Sequence, residues 1–150
     1  MEYELNTIQI ATYMQNDPFI RQEYGGVLAI DQLPVFVPNK PRIFIVNTDV
    51  SSKPGEHWFV MYVTDICEHF DPAGLAPLPV SNDFLTKQSE KYLTNTTRVQ
   101  AFDSYTCGLF CLFYAYFRCR GYSFVKIMNM FYENLELNEV IVKLFYEITK

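Results

Sequence analysis

Charge is scarce in this 150-residue chain: only 19% of the residues are Asp, Glu, Lys or Arg, whereas 49% are hydrophobic. Disordered segments combine low hydrophobicity with high charge, so this composition excludes that class. Twelve basic residues against 17 acidic ones leave a formal charge of −5. The basic residues are dispersed from Arg21 to Lys150 and form no stripe, so we expect no strong nucleic-acid binding.

Long apolar runs and a leader segment are also missing. No apolar stretch reaches the ~18 residues that a membrane span needs, and the start MEYELNTIQI has neither the basic region nor the apolar core of a signal peptide. We therefore expect an intracellular protein that acts away from membranes. The four cysteines are too few for a disulfide scaffold, and we expect them to be thiols in a reducing compartment.

The chain has enough apolar and aromatic residues for one sizeable core. A domain of about 150 residues buries roughly 68–70% of its unfolded surface, and the sequence contains no repeat, low-complexity tract or long linker. We expect residues 1–150 to form a single domain, and a monomer.

Hydrophobic patterning predicts the order of helices and strands. Residues 42–48 and 57–64 are apolar on both alternating faces, as in a sheet that is covered on both sides. Residues 107–120 are apolar almost all round, which is typical of a central helix. Strands grouped before helices favour an α+β fold, with a central mixed β-sheet flanked by helices. The other expected helices are 2–15, 81–92, 124–132 and 139–149. Ser81, Ser123 and Asn138 are the expected N-caps of the last three. The other expected strands are 27–30, 66–70 and 96–99.

Cys107 is the candidate nucleophile. It stands where the polar loop Asp103–Thr106 turns into the apolar helix. Free backbone N–H groups and the positive end of the helix dipole favour a thiolate at such a position. A buried cap cysteine is the structural alternative, while the other three cysteines, Cys67, Cys111 and Cys119, occupy ordinary positions for small buried hydrophobes.

His57 and Asp71 are the candidate partners of that thiol. His57 opens a predicted strand directly after the turn 53–56, where it can reach a cleft as a general base must. Asp71 ends the next strand, and a hairpin of the two strands would bring its carboxylate toward the imidazole, as the third member of a triad. A surface histidine without a role and a simple turn-forming aspartate are the alternatives.

A metal site is the competing interpretation of the same residue types. Cys67-x-His69 and Cys107-x3-Cys111 supply nitrogen and sulfur ligands, but neither spacing is a recognised zinc motif. One helical turn between Cys107 and Cys111 is equally expected from core packing. We therefore predict no metal, and we expect His69 to be an exposed strand residue.

The ordered motifs resemble those of the adenovirus protease (adenain) family. They are Gly55-x-His57-Trp58, Phe70-Asp71-Pro72-x-Gly74, Val99-Gln100 and Ser104-x-x-Cys107-Gly108. That family has His, Asp or Glu, Gln and Cys in this order, and the resemblance extends over roughly 4–117. It points to a DNA virus or a Maverick/Polinton-type virus-like transposon as the source.

The resemblance implies a role for each matching residue. Cys107 would be the nucleophile, His57 its base and Asp71 the partner of His57. The Gln100 side chain would stabilise the oxyanion together with the Cys107 backbone N–H. The resemblance also places Trp58 beside the site, and Gly108 would let the substrate chain approach the sulfur.

The family likewise implies the function: a cysteine endopeptidase that cleaves viral structural or core precursors near glycine during virion maturation, in the virion and the nucleus or cytoplasmic virus factory of the host cell. No cofactor is expected for the chemistry. Because residues 73–99 contain no cysteine, a disulfide-linked activator peptide is not expected, although another activator peptide stays open. The negative charge argues against activation by DNA.

Two other functions are compatible with these motifs. A deconjugating protease for a ubiquitin-like modifier shares the fold and the residue order, but such enzymes usually have a shorter Gln-to-Cys interval. A non-catalytic binding module on the same fold is the alternative of a different class.

Overall fold

Five strands form one mixed sheet in the computed structural model, which describes residues 2–52 and 57–150. The strands lie side by side in chain order, with β1 parallel to β2, β4 parallel to β5, and antiparallel pairing of β2 with β3 and of β3 with β4. The predicted α+β fold with a central mixed sheet is confirmed. The bounds are β1 Tyr24–Ala29, β2 Arg42–Asn47, β3 Trp58–Val63, β4 Cys67–Phe70 and β5 Tyr92–Thr94.

Helices flank this sheet. Within the described ranges they are α1 Thr7–Asn16, α2 Pro18–Glu23, α3 Pro79–Gln88, α4 Cys107–Arg118, α5 Phe124–Met128 and α6 Leu135–Thr149. Across residues 2–52 and 57–150, no helix combines the length and the apolar character that crossing a bilayer requires.

Both faces of the sheet are buried, as the patterning of β2 and β3 predicts. Ile45 and Val60 belong to the core on one face, which also contains α1, α4 and α6. Val46 and Met61 point to the opposite face, where α3 covers them. Side chains alternate between the two sides of a strand, so a strand buried on both sides has apolar residues throughout.

The helix α4 lies at the centre of the larger core. Its first nine residues, Cys107–Ala115, are all buried, which confirms the prediction for this segment. At its basic end, Arg118 makes a two-pronged contact with Glu68, with Nε–Oε1 and Nη2–Oε2 distances of 3.0 and 2.9 Å. Arg120 pairs with Asp17 at 2.8 Å. These two arginines therefore tie the end of α4 to β4 and to the α1–α2 junction.

The N-terminal helix is shorter than predicted, because Asn6 caps it. The Asn6 side chain accepts from the Gln9 N–H while the Gln9 side chain accepts from the Asn6 N–H, a reciprocal capping box. At the other end, Asp17-Pro18 does more than end this helix. The Asp17 carboxylate accepts from the N–H groups of Phe19 and Ile20 and so begins α2, which the patterning did not predict.

Two later helices begin earlier than predicted. Pro79 starts α3, since proline suits the first turn of a helix, and Ser81 is buried within α3 instead of capping it. Asn134, one turn before Asn138, caps α6. The buried Asn138 side chain instead binds both backbone groups of Tyr132. The cap predicted at Ser123 is confirmed, with Oγ accepting from the Lys126 N–H at 3.1 Å.

The fifth strand and His69 also differ from expectation. β5 is Tyr92–Thr94, and residues 96–99, predicted to be extended, lie outside the sheet. His69 is buried, not exposed, because β4 has strands on both sides and faces the α3 core. Its ring lies 5.1 Å from that of Phe59, and Nδ1 is 3.0 Å from Thr94 Oγ1.

We predict that Leu112→Ala lowers the free energy of unfolding by about 2.7–5 kcal/mol, because it leaves a cavity in the core. Leu112 in α4 is 0% exposed, whereas Leu144 in α6 is 58% exposed. Leu144→Ala is therefore the matched control and should change stability by no more than about 0.5 kcal/mol. Urea denaturation of both variants measures the difference, and equal effects would contradict the burial of α4.

Candidate active site

His57 and Asp71 meet at one end of the β3–β4 hairpin. His57 directly precedes β3 and Asp71 directly follows β4, and the antiparallel register pairs Val60 with Phe70. The beginning of one strand therefore lies beside the end of the other. His57 Nε2 is 2.6 Å from Asp71 Oδ1, as the hairpin argument predicts.

Asp71 is held in place from several directions. It is 4% exposed, and its Oδ1 also accepts from the Ala73 N–H at 2.8 Å. Asn95 binds both backbone groups of Asp71: Oδ1 accepts from its N–H at 2.8 Å and Nδ2 donates to its carbonyl at 2.6 Å. The carboxylate that orients His57 is thus fixed by the chain on either side of it.

Cys107 is the first residue of α4 and lies beside His57. It is 7% exposed, it lines the same cleft as His57, and its sulfur is close enough to the imidazole to raise the pKa of His57. The structure therefore brings together the three residues predicted to form the triad.

The Asp71 carboxylate and the Cys107 sulfur both act on the imidazole of His57. Burial disfavours its charged form, but the hydrogen bonds and negative charges of Asp71 and Cys107 outweigh burial and raise the pKa of His57 from 6.5 to about 9. His57 is then an imidazolium at neutral pH. By contrast, burial lowers the pKa of His69 to about 4, so the two histidines have opposite environments.

The turn after Asp71 positions the segment that carries Gln100. The Pro72 carbonyl accepts from the N–H groups of Val99 and Gln100, at 2.9 and 3.1 Å. Gly74 has a φ of +71°, and a Cβ there would lie 2.6 Å from the backbone nitrogen of Arg98. The motif Phe70-Asp71-Pro72-x-Gly74 therefore packs backbone against backbone, which explains its glycine.

Gln100 lines the same cleft as Cys107 and His57 and is 3% exposed. Its Nε2 donates to the Ser104 carbonyl at 3.1 Å and to Ser104 Oγ at 3.0 Å. Its Oε1 has no hydrogen-bond partner among the residues that the structure describes. The side chain is thus held through its nitrogen by the loop that precedes Cys107.

Trp58 and Gly108 occupy different surroundings. Trp58 lines the cleft beside His57 and donates from Nε1 to the Leu5 carbonyl at 3.2 Å. Gly108, predicted to admit the substrate, faces this protein's own N-terminal segment instead. A Cβ on Gly108 would lie 3.3 Å from Leu5 and from Ile10, so the chain that approaches it closely is an internal one.

The cleft over these residues has a volume of about 540 Å³. Its walls come from the N-terminal segment 4–7, from β1 and the turn after it, and from residues 47–51. Within residues 2–52 and 57–150, no cluster of three or more potential metal ligands occurs. Gly55 and the rest of the turn 53–56, which the sequence motif includes, lie outside the described residues.

Solved structures share this architecture at low sequence identity. The ASFV pS273R protease aligns with a TM-score of 0.64 and 18% identity, over 92% of this chain and 66% of that one. The chain has the fold of the ASFV pS273R protease. This chain spans just under two thirds of the length of that protein. The central domain of the uncharacterized Lpg1148 protein from Legionella pneumophila aligns with a TM-score of 0.53 and 17% identity, over 98% of this chain and 99% of that domain.

Sequence comparisons add nothing to this likeness. No family model matches the chain, and no curated protein matches it. The similarity to the ASFV pS273R protease therefore concerns the fold.

Two residues of the site were not found from the sequence. Asn95, which clamps Asp71, follows a three-residue strand that the patterning missed. Glu139 lies one turn into α6, and its carboxylate accepts from the Ala101 N–H at 2.9 Å. Nothing local in the sequence indicates either contact, because each residue reaches across 24 or 38 positions of the chain.

We predict that His57 titrates near pH 9 and that Asp71→Asn lowers its pKa, because the substitution removes a negative charge that stabilises the imidazolium. The positive charge of His57 would persist below pH 9 and be lost as the pH rises through that value. Histidine NMR titration measures both values. His57→Gln assigns the signals by removing the alkaline titration and leaving that of His69. An unchanged His57 pKa in Asp71→Asn would contradict the assigned contact.

Proposed function

We propose that this protein is a cysteine endopeptidase with Cys107 as nucleophile, His57 as its acid–base partner and Asp71 as the group that orients His57. One observation carries the proposal: His57 binds the Asp71 carboxylate at 2.6 Å and lines one cleft together with Cys107, the first residue of a helix. Such a nucleophile, base and orienting acid are the parts that acyl transfer requires.

The chemical steps follow from that arrangement. The Cys107 thiolate attacks the carbonyl carbon of the scissile peptide bond, and the carbonyl electron pair moves to the oxygen. When the intermediate collapses, the C–N bond breaks and the His57 imidazolium gives its proton to the leaving amine. A water molecule then loses a proton to His57 and attacks the thioester, which releases the acid and restores the thiolate.

The developing oxyanion would be stabilised by the Cys107 backbone N–H and by Nε2 of Gln100. An amide nitrogen has two hydrogens, and both acceptors that Nε2 contacts belong to Ser104. One hydrogen shared between these two oxygens leaves the other for the oxyanion. Donors aimed at this charge typically contribute about 2.7–4 kcal/mol to the stability of the transition state.

The substrate would be an extended polypeptide. Residues 27–29 of β1 line the cleft, and β1 is an edge strand that pairs with β2 in the described sheet. An extended peptide suits such an edge. Following the adenain resemblance, we propose cleavage near glycine in viral structural or core precursors, and a source in a virus, which the viral protease neighbour supports through the fold. The chemistry would need neither a metal nor DNA.

We predict that Cys107→Ala abolishes cleavage of a glycine-containing fluorogenic peptide, because none of the other three described thiols lines the cleft. Cys119→Ala is the matched control and should keep activity within about threefold, since burial and nearby carboxylates raise the pKa of that thiol and keep it protonated. Initial rates of the purified variants at pH 7 give the comparison.

Three outcomes separate the alternatives. Full activity in Cys107→Ala would overturn the proposal. Cleavage of ubiquitin-like modifier conjugates without cleavage of peptides would assign a deconjugating protease. No Cys107-dependent cleavage of either substrate would indicate a binding module.

A further inference from the structure

A buried carboxylate from α6 lies under the loop that joins Gln100 to Cys107. Glu139 is 4% exposed, and three donors of that loop converge on it. Ala101 N–H and Ser104 Oγ donate to Oε2, at 2.9 and 3.2 Å. Thr106 Oγ1 donates to Oε1 at 2.7 Å.

Core packing alone does not account for this carboxylate. Burying a charge is unfavourable unless hydrogen bonds compensate it, and none of the ion pairs in the described part of the chain includes Glu139. All of its compensation comes from one loop segment without helix or strand. Arg98 binds the carbonyls of Gln100 and Ala101, at 2.7 and 3.3 Å, whereas Glu139 is the group that binds donors of this segment on both sides of Ser104.

The contacts continue from Glu139 to the reacting groups. Ser104, held by Glu139, accepts from Nε2 of Gln100 through both of its oxygens. Thr106, the third donor, directly precedes Cys107. On the other side of Gln100, Asn138 donates from Nδ2 to the Val99 carbonyl at 3.0 Å. Neighbouring residues of α6 therefore hold both ends of the Gln100 segment.

We propose that Glu139 is a positioning residue for the oxyanion site. It acts through Ser104 on the Gln100 amide, so that one Nε2 hydrogen stays directed at the place where the oxyanion forms. This inference rests on the proposed function. Glu139 does not line the cleft, so its contribution concerns the transition state and not the binding of substrate.

The test compares three variants. Glu139→Leu removes all three acceptor contacts while filling the space. Glu139→Gln keeps one carbonyl oxygen for Ala101 and Ser104 and puts its amide against Thr106 Oγ1, which can accept, so it should restore most of the function. Glu136→Leu, at an exposed position on the same helix, is the control for replacing a glutamate of α6 by leucine.

We expect Glu139→Leu to lower kcat roughly 10- to 100-fold with KM unchanged, which is less than the 10²–10³-fold loss expected for Gln100→Ala as removal of an oxyanion donor. In the Gln100→Ala background, Glu139→Leu should lower kcat by no more than about threefold, since residues acting in one chain of contacts are not additive. Alkylation of Cys107 by iodoacetamide forms no oxyanion. The alkylation rate of Glu139→Leu should therefore stay within about threefold of the wild-type rate.

Amide hydrogen exchange gives a readout that needs no activity. Exchange of the Ala101 N–H should accelerate in Glu139→Leu and stay at the wild-type rate in Glu136→Leu. If the wild type cleaves no peptide, the proposed function fails. Accelerated exchange of the Ala101 N–H would then show only that Glu139 anchors the loop.

An unchanged kcat in Glu139→Leu would overturn the inference. So would an equal loss of kcat in the wild-type and Gln100→Ala backgrounds, or an alkylation rate that falls in parallel with kcat. The last result would mean that Glu139 acts on Cys107 itself. Circular dichroism of each variant confirms that the chain is folded.

Discussion

The burial of α4 against the sheet is the constraint on which the site depends. Nine consecutive residues of this helix are buried, so its position and its rotation about its own axis are fixed by packing on every side. Its first turn, with Cys107, is then fixed as well. Gly108 contributes by letting Leu5 and Ile10 lie close to that turn.

The contact of His57 with Asp71 depends on a second constraint, the antiparallel pairing of β3 with β4. This pairing places the start of one strand next to the end of the other, and so brings His57 to Asp71 across 14 positions of the chain. The turn after Asp71 then binds the backbone at Gln100 through the Pro72 carbonyl. Sheet and helix together bring four separate segments to one cleft.

Much of this could be predicted from residue pattern, and the failures have common physical causes. The strands β2 and β3 and the helix α4 were found because burial on all sides leaves a continuous apolar run. The pattern wrongly predicts an exposed His69, because a polar residue on a short strand gives no sign of a covering helix. Asn138 was assigned as a cap because asparagine suits both a cap and a buried contact, and only the surroundings decide between them.

The sequence by itself determined three candidate residues: a thiol at the start of an apolar helix, a histidine at a strand end and an aspartate before a proline turn. The fourth candidate, a glutamine seven positions before the cysteine, came from the resemblance to the adenain family. These are local features. Only the tertiary structure decided which distant groups hold them, namely Asn95 on Asp71 and Glu139 under the loop before Cys107. Such contacts join residues far apart in the chain, and hydrogen bonding between them depends on distances that folding alone sets.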